Sequence, residues 1–261
     1  MSFLDNLVST GADIWDWAKG SSNSAALTKT AAIGFALNQF SNMYNKDNNK
    51  TSNTNPSANK LQVNASTQNS IPVLYGDVYC GGVLTDAVLT NNNMTMWYCL
   101  TICEKTGGLM STSNGVTVND SVISFVDIYI DQLKLVLQSD GITAAKLVDE
   151  DGHESTDING LVKVYLFNNG SSSPVKLNGY GNGNSTAAYS LFPNWSSSHT
   201  MNNLVFALIK VTYNADKNIT SLGDVTFRMN NTLKMPGDVL FDYMTNTRYG
   251  AGIDPTEIYD A

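Results

Sequence analysis

The chain has 261 residues and a mass of 28.2 kDa, enough for one large domain or two small ones with an ordinary core. Hydrophobic residues make up 42% of the sequence, which excludes a wholly disordered protein, although only 15% of the residues are charged. The net charge of -8 argues against nonspecific binding to nucleic acid and to anionic membranes, because both depend on Lys and Arg.

The N-terminal region, residues 1–44, has the pattern of a helical arm. Apolar side chains recur at helical spacing over residues 2–18, and residues 25–40 form a second candidate helix with a small-residue face. Three interpretations of this arm stay open: it packs on its own domain, it docks on another subunit, or it acts on a membrane. Its longest apolar run is far shorter than the roughly 20 residues of a membrane-spanning helix. The first ten residues carry an acidic residue in place of the basic start of a secretory signal, so no secretory signal is predicted.

Residues 45–70 form a polar tract rich in Asn, Ser and Thr. Such a segment buries too little apolar surface to offset the entropy cost of ordering it, so it is predicted to be a linker. From residue 71 to residue 261 the sequence changes to short alternating runs separated by Asn-Gly and Asp-Gly turns, which is typical of a mainly β barrel or sandwich domain.

The clearest predicted strand spans residues 94–103. Strict alternation places Trp97, Cys99 and Cys103 on one face, and both faces carry residues suited to burial. In an extended strand Cys99 and Cys103 are about 13 Å apart, too far for a disulfide bond, so both are predicted to be packing residues. The other predicted strands are 73–79, 122–130, 134–138, 161–167, 204–213 and 223–229.

A short C-terminal helix is predicted to begin at Asp238, whose side chain would cap it, and to end near Gly250 and Gly252. Its predicted apolar face consists of Val239, Leu240, Tyr243 and Met244.

No catalytic, metal-binding or cofactor-binding residue is predicted. The acidic run 149–154 lacks the spacing of a calcium loop and is interpreted as a solvated hairpin tip. His153 and His199, the two histidines, belong to no hydrolase or zinc motif, and the glycine-rich stretch 179–186 lacks the phosphate-binding pattern. A glycosidase site made of two carboxylates that are distant in sequence but adjacent in space stays open.

Two segments at opposite ends of the β region resemble one known family. IPVLYGDVYCGG (71–82) and PGDVLFDYMTNTRYGAGI (236–253) are similar to the first and last motifs of the hub region of tail tip and baseplate hub proteins of long-tailed bacteriophages, the group that includes the phage lambda tip attachment protein. Residues 97–104, 126–131 and 195–213 resemble intervening family segments in the same order. Lys105 departs from the family's Gly at one corner, and family members usually continue for hundreds of residues beyond the last motif.

The resemblance implies a structural, non-enzymatic virion protein that is assembled in the cytoplasm of the host bacterium and forms a trimeric hub at the tail tip or baseplate. Its implied partners are further copies of the chain and the tube, distal tail, tape measure and tip or fibre proteins, without specific nucleic acid binding or stable membrane insertion. Arg248 is expected to pair with a carboxylate or with carbonyls at a domain or subunit seam. The residues expected to serve architecture or interfaces are Pro72, Tyr75, Gly76, Gly81, Gly82, Asp238, Tyr243, Arg248, Tyr249 and Gly250.

Two further functions stay open at the level of sequence. In a carbohydrate-binding β-sandwich or adhesin, Trp195 and Tyr180 would stack on sugar rings. A glycan-degrading tail enzyme would instead need two carboxylates in one cleft.

Overall fold

The computed structural model describes residues 70–107, 121–217, 219 and 222–259. The predicted arm (1–44) and all of the predicted linker except Ser70 lie outside the described residues. Eleven strands occur in the described part: β1 Asp77–Gly81, β2 Val83–Thr90, β3 Thr95–Glu104, β4 Ile123–Ile130, β5 Leu133–Leu137, β6 Ala144–Val148, β7 Glu154–Ser155, β8 Val162–Phe167, β9 Pro174–Val175, β10 Leu204–Thr212 and β11 Val225–Asn231. The helices there are α1 Ala188–Leu191, α2 Pro236–Thr245 and α3 Pro255–Tyr259.

The prediction of a mainly β domain is confirmed. The strands form a six-stranded sheet in the order β1-β11-β4-β5-β6-β7 and a five-stranded sheet in the order β2-β3-β10-β8-β9, and neighbouring strands are antiparallel. Both sheets are open, because each ends in strands that pair on one side only among the described residues. Four strands were not predicted from the sequence: β2 and β6, whose runs are interrupted by Asp86 and Lys146, and the two-residue strands β7 and β9.

The two sheets share one hydrophobic core. Phe125 and Phe227 of the six-stranded sheet meet edge to face at 6.0 Å, and they belong to the same buried cluster as Val164 and Ile209 of the five-stranded sheet. Full burial of one such side chain contributes about 1.5–3 kcal/mol relative to exposure. This shared core fixes the position of both sheets and of the loops that connect them.

The second face of the five-stranded sheet is covered by the segment that carries α1. Phe192 and Trp195 of this segment pack with Trp97 and Phe206 in a separate buried cluster. Strand β3 therefore has buried side chains on both faces, as the sequence predicted for residues 94–103.

A β-bulge changes the side that Cys103 faces. The pairing of β3 with β10 shifts at Val205/Phe206, so that Val205 lies opposite Cys103 but Phe206 lies opposite Thr101. The extra residue reverses the alternation, and Cys103 joins the core between the sheets together with Ile102. The strict alternation predicted for this strand, which placed Cys103 on the face of Trp97, is therefore wrong at the C-terminal end of the strand. The predicted packing role of the cysteines agrees with their free, buried state.

Candidate functional site: the motif junction

The first family-like motif crosses from one sheet to the other. Strand β1 ends at Gly81 in the six-stranded sheet and β2 begins at Val83 in the five-stranded sheet, so Gly82 is the crossing point. A Cβ atom on Gly82 would lie 2.7 Å from Cβ of Leu100, closer than side chains tolerate. Glycine at this position therefore lets the chain pass directly over β3.

The start of the same motif is attached to the ends of β3 and β11. The carbonyl of Pro72 accepts a hydrogen bond from the Glu104 amide at 2.9 Å. Gly76 has a positive φ of 70° and exchanges backbone hydrogen bonds with Leu233 and Asn231. These bonds hold residues 72–76 against the segment that leads into α2.

Helix α2 begins two residues earlier than predicted, and Asp238 does not cap it. Met235 is the N-cap residue, it makes no side-chain capping bond, and Pro236 opens the helix. Asp238 lies in the first turn, where its negative charge is favourable next to the helix N-terminus. The prediction of a capping Asp238 is wrong because proline at the first helical position moves the start of the helix toward the N-terminus.

Tyr75, Asp242 and Tyr249 form what we call the motif junction. Oδ2 of Asp242 accepts hydrogen bonds from the phenols of Tyr75 and Tyr249, each at 2.7 Å. The Tyr249 oxygen also accepts the Gly107 amide at 3.3 Å. Asp242 is 2% exposed, so both phenols bond to a buried carboxylate. The junction thus joins three segments that are far apart in sequence.

The environment of the junction keeps both phenols protonated. Burial and the hydrogen bond to Asp242, in that order, raise the pKa of Tyr75 and that of Tyr249 well above the ordinary value of 10.0. Protonated phenols donate hydrogen bonds, and here both donate to one oxygen. The junction therefore has a structural role: it holds α2 and the turn after it on the β domain.

A pH titration of stability tests this assignment. The unfolded chain releases phenolic protons near pH 10, whereas the folded junction retains them. The stability that the two tyrosines contribute is therefore complete below pH 10 and is lost as the pH rises above it. We expect the free energy of urea unfolding to fall more steeply between pH 9 and pH 11 in the wild type than in Tyr75→Phe/Tyr249→Phe. Equal slopes would contradict the protonated-phenol assignment.

Arg248 forms a second connection between the last motif and β3. Its Nε lies 2.7 Å from Glu104 Oε2 without aligned hydrogen-bond geometry, and its Nη2 donates to Glu104 Oε1 at 3.2 Å. Nη1 also donates to the Asn202 carbonyl at 3.4 Å. Arg248 thus pairs with a carboxylate and a carbonyl, and both partners belong to its own chain.

Helix α2 ends before the glycines that were predicted to end it, and backbone hydrogen bonds close the turn that follows. The helix ends at Thr245, and the Gly250 amide donates to the Asn246 carbonyl at 3.2 Å. A Cβ atom on Gly250 would lie 2.0 Å from the carbonyl oxygen of Tyr243. Gly250 is therefore required by the close approach of two backbone segments, five residues beyond the helix end.

Two residues of this region were not predicted from the sequence. Asp242 is the centre of the junction, and Asn231 donates to the Leu74 carbonyl at 2.7 Å and to the Thr106 hydroxyl at 2.6 Å while its own oxygen accepts the Leu233 amide. A signal for Asp242 was present, because a carboxylate within an otherwise apolar helix stretch needs a partner when it is buried. For Asn231 no local pattern gave such a signal.

One side of α2 remains exposed. Met235, Leu240 and Tyr243 are 62%, 59% and 52% exposed. Leu240 and Tyr243 of the predicted apolar face are therefore exposed in the chain alone, because the junction turns the Asp242 side of the helix inward. Exposed apolar side chains gathered on one helix are typical of an interaction surface.

The other candidate residues have local structural contacts. Asp149 accepts hydrogen bonds from the amide and, at 2.9 Å, from the ring of His153, and with Asp151 they could gather around an ion at an exposed hairpin tip. Trp195 donates its indole N–H to Asp86 at 2.8 Å and stacks on His199. These contacts give the hairpin tip and the Trp195 indole structural roles within the fold.

Tyr180, the second residue considered for sugar stacking, is also held within the fold. Its hydroxyl accepts the Leu137 amide at 2.7 Å, and its ring packs against the core between the sheets. The glycine-rich stretch 179–186 is a loop, as predicted. Among the described residues no helix combines the length and the hydropathy needed to cross a bilayer.

No protein-family model matches the chain, and no curated protein matches it.

Proposed function

We propose that the chain is a structural subunit of a phage tail tip or baseplate hub, arranged as a homotrimer that joins the tail tube to distal tip or receptor-binding proteins. The observation that carries this proposal is the motif junction. Tyr75 of the first family-like motif and Tyr249 of the last donate to the same buried carboxylate, although 173 residues separate the two tyrosines. If the two segments resembled the family by chance, nothing would require them to meet in the folded chain.

The exposed side of α2 supports a role in assembly. Met235 and Tyr243 belong to residue types that are enriched in protein interfaces, Leu240 adds exposed apolar surface, and all three lie on or next to a helix that the junction anchors. An anchored helix presents these side chains with little entropy left to lose on binding. In this proposal residues 1–44 act as a docking arm on a neighbouring subunit, and the acidic chain repels passing DNA.

The proposal is tested by the mass of the full chain in solution, measured by light scattering. A trimer has a mass of about 85 kDa, three times 28.2 kDa. Quantitative mass spectrometry of assembled virions should find the peptides at about three copies per particle. A stable monomer that is absent from virions would contradict the hub and would make a glycan array the next experiment.

A further inference from the structure

Two lysines face each other on the outer side of the five-stranded sheet. Lys210 of β10 lies directly opposite Lys163 of β8, and on its other side it lies opposite Trp97 of β3. Its ammonium group is 5.4 Å from the centre of the Trp97 ring, which stacks on Tyr165 at 5.8 Å. Like charges at directly opposite positions destabilise a sheet. Trp97 itself is buried against Phe192, whereas Lys163, Tyr165 and Lys210 are half-buried. We call these three half-buried residues the basic patch.

Within the described part of the chain, neither lysine of the basic patch has an ion-pair partner. Asp140, whose carboxylate interacts electrostatically with Lys163, is bonded to the amides of Ile142 and Thr143 and to the Thr143 hydroxyl. Burial opposes its ionisation, but these bonds and the charge of Lys163 hold the pKa of Asp140 below its usual range. Asp140 offsets at most one of the two ammonium charges, so the patch keeps an excess of positive charge.

A second surface, near the last residue of β3, carries exposed negative charge. The segment of α2 and α3 exposes the carboxylates of Asp238 and Glu257 together with the apolar side of α2. Asp242 and Arg248 of this segment are already bonded to the two phenols and to Glu104. We call the exposed part, Asp238, Glu257, Met235, Leu240 and Tyr243, the acidic end.

The basic patch and the acidic end of one chain are too far apart to meet. Lys210 is level with Trp97 near the start of β3, whereas the acidic end is attached through Arg248 to Glu104 at the last residue of β3. Seven residues of extended strand separate Trp97 from Glu104, which is about 23 Å. A contact between the two surfaces therefore requires a second copy of the chain.

We propose that copies of this chain associate head to tail, with the acidic end of one copy on the basic patch of the next. Asp238 and Glu257 supply the carboxylates that Lys163 and Lys210 lack, and the apolar side of α2 packs beside the half-buried Tyr165. A contact between two different surfaces is heterologous, and three such contacts close a ring. This inference rests on the proposed trimer and names the residues that hold it together.

A charge exchange in the full chain tests the contact. Lys163→Glu/Lys210→Glu and Asp238→Lys/Glu257→Lys should each raise the dissociation constant of the trimer about 100-fold or more, measured by light scattering and sedimentation over a concentration series. The chain that carries all four substitutions should form the trimer again, because the charges are exchanged rather than removed. Lys146→Glu/Lys176→Glu is the matched control, since it changes the net charge equally and should leave the trimer intact.

The outcomes separate the contact from the function. Circular dichroism and thermal unfolding first establish that each variant is folded, and the four-substitution chain provides a second readout if one pair is poorly tolerated. Trimers that persist in both pair variants, or a four-substitution chain that stays dissociated, would overturn the proposed contact but not the proposed hub function. A wild-type monomer would overturn both proposals.

Discussion

Replacement of Asp242 by alanine should lower the free energy of unfolding by about 3 kcal/mol. The substitution removes the carboxylate oxygen that the Tyr75 and Tyr249 hydroxyls share and leaves two partly buried phenols without their short hydrogen bonds. A buried polar group that loses its partner costs roughly 1–3 kcal/mol. Because the carboxylate is 2% exposed, water does not readily take its place.

Asp238→Ala on the same helix is the matched control for Asp242→Ala. Asp238 is exposed and has no side-chain capping bond, so its replacement should change the free energy of unfolding by less than about 0.5 kcal/mol. Urea unfolding at low protein concentration measures both variants as folded monomers. Tyr75→Phe removes one of the two bonds and should cost about 1 kcal/mol. Similar losses for Asp238→Ala and Asp242→Ala would contradict the assignment of the junction as the anchor of α2.

Replacement of Gly250 by alanine should destabilise the chain by about 3 kcal/mol, because the added methyl group has no room. Its Cβ atom would lie 2.0 Å from the Tyr243 carbonyl oxygen and 2.8 Å from that of Asn246. Both neighbours are backbone atoms at the end of α2, so relief of the clash must move the turn that carries Arg248 and Tyr249. We expect the mutation to weaken the junction as well as the turn.

Gly237→Ala gives the opposite result in the same helix. A Cβ atom on Gly237 meets nothing within 4 Å, and alanine is favoured over glycine in a helix by about 1 kcal/mol, with less expected in the first turn. Thermal unfolding should therefore show a lower midpoint for Gly250→Ala and an equal or higher midpoint for Gly237→Ala. Equal midpoints for Gly250→Ala and the wild type would show that the turn has more room than the structure gives it.

The two proposals assign different tasks to the two sides of α2. The buried side, with Asp242, holds the helix on the β domain, and the exposed side, with Leu240 and Tyr243, is left for a neighbouring copy. Variants of the first kind should change the stability of the monomer. Variants of the second kind should change the mass of the assembly at nearly constant monomer stability.

The sequence by itself determined the class of fold and most of the strands. Alternating runs such as residues 94–103 and 204–213 are buried strands in the structure, because a period of two places apolar side chains on a common face whatever the partner strand is. Tyr75, Arg248 and Tyr249 were also selected from the sequence alone, as parts of the two family-like segments.

Only the tertiary structure decided which residues of those motifs meet and which side of each element is buried. The partnership of Asp242 with Tyr75 depends on chain segments 167 residues apart, which no local spacing encodes. The reversal at Cys103 depends on a bulge between β3 and β10, and the exposure of Leu240 depends on the rotation that the junction imposes on α2. Local pattern fixes the period of an element, but its register and rotation are set by the long-range contacts that give the lowest free energy for the whole chain.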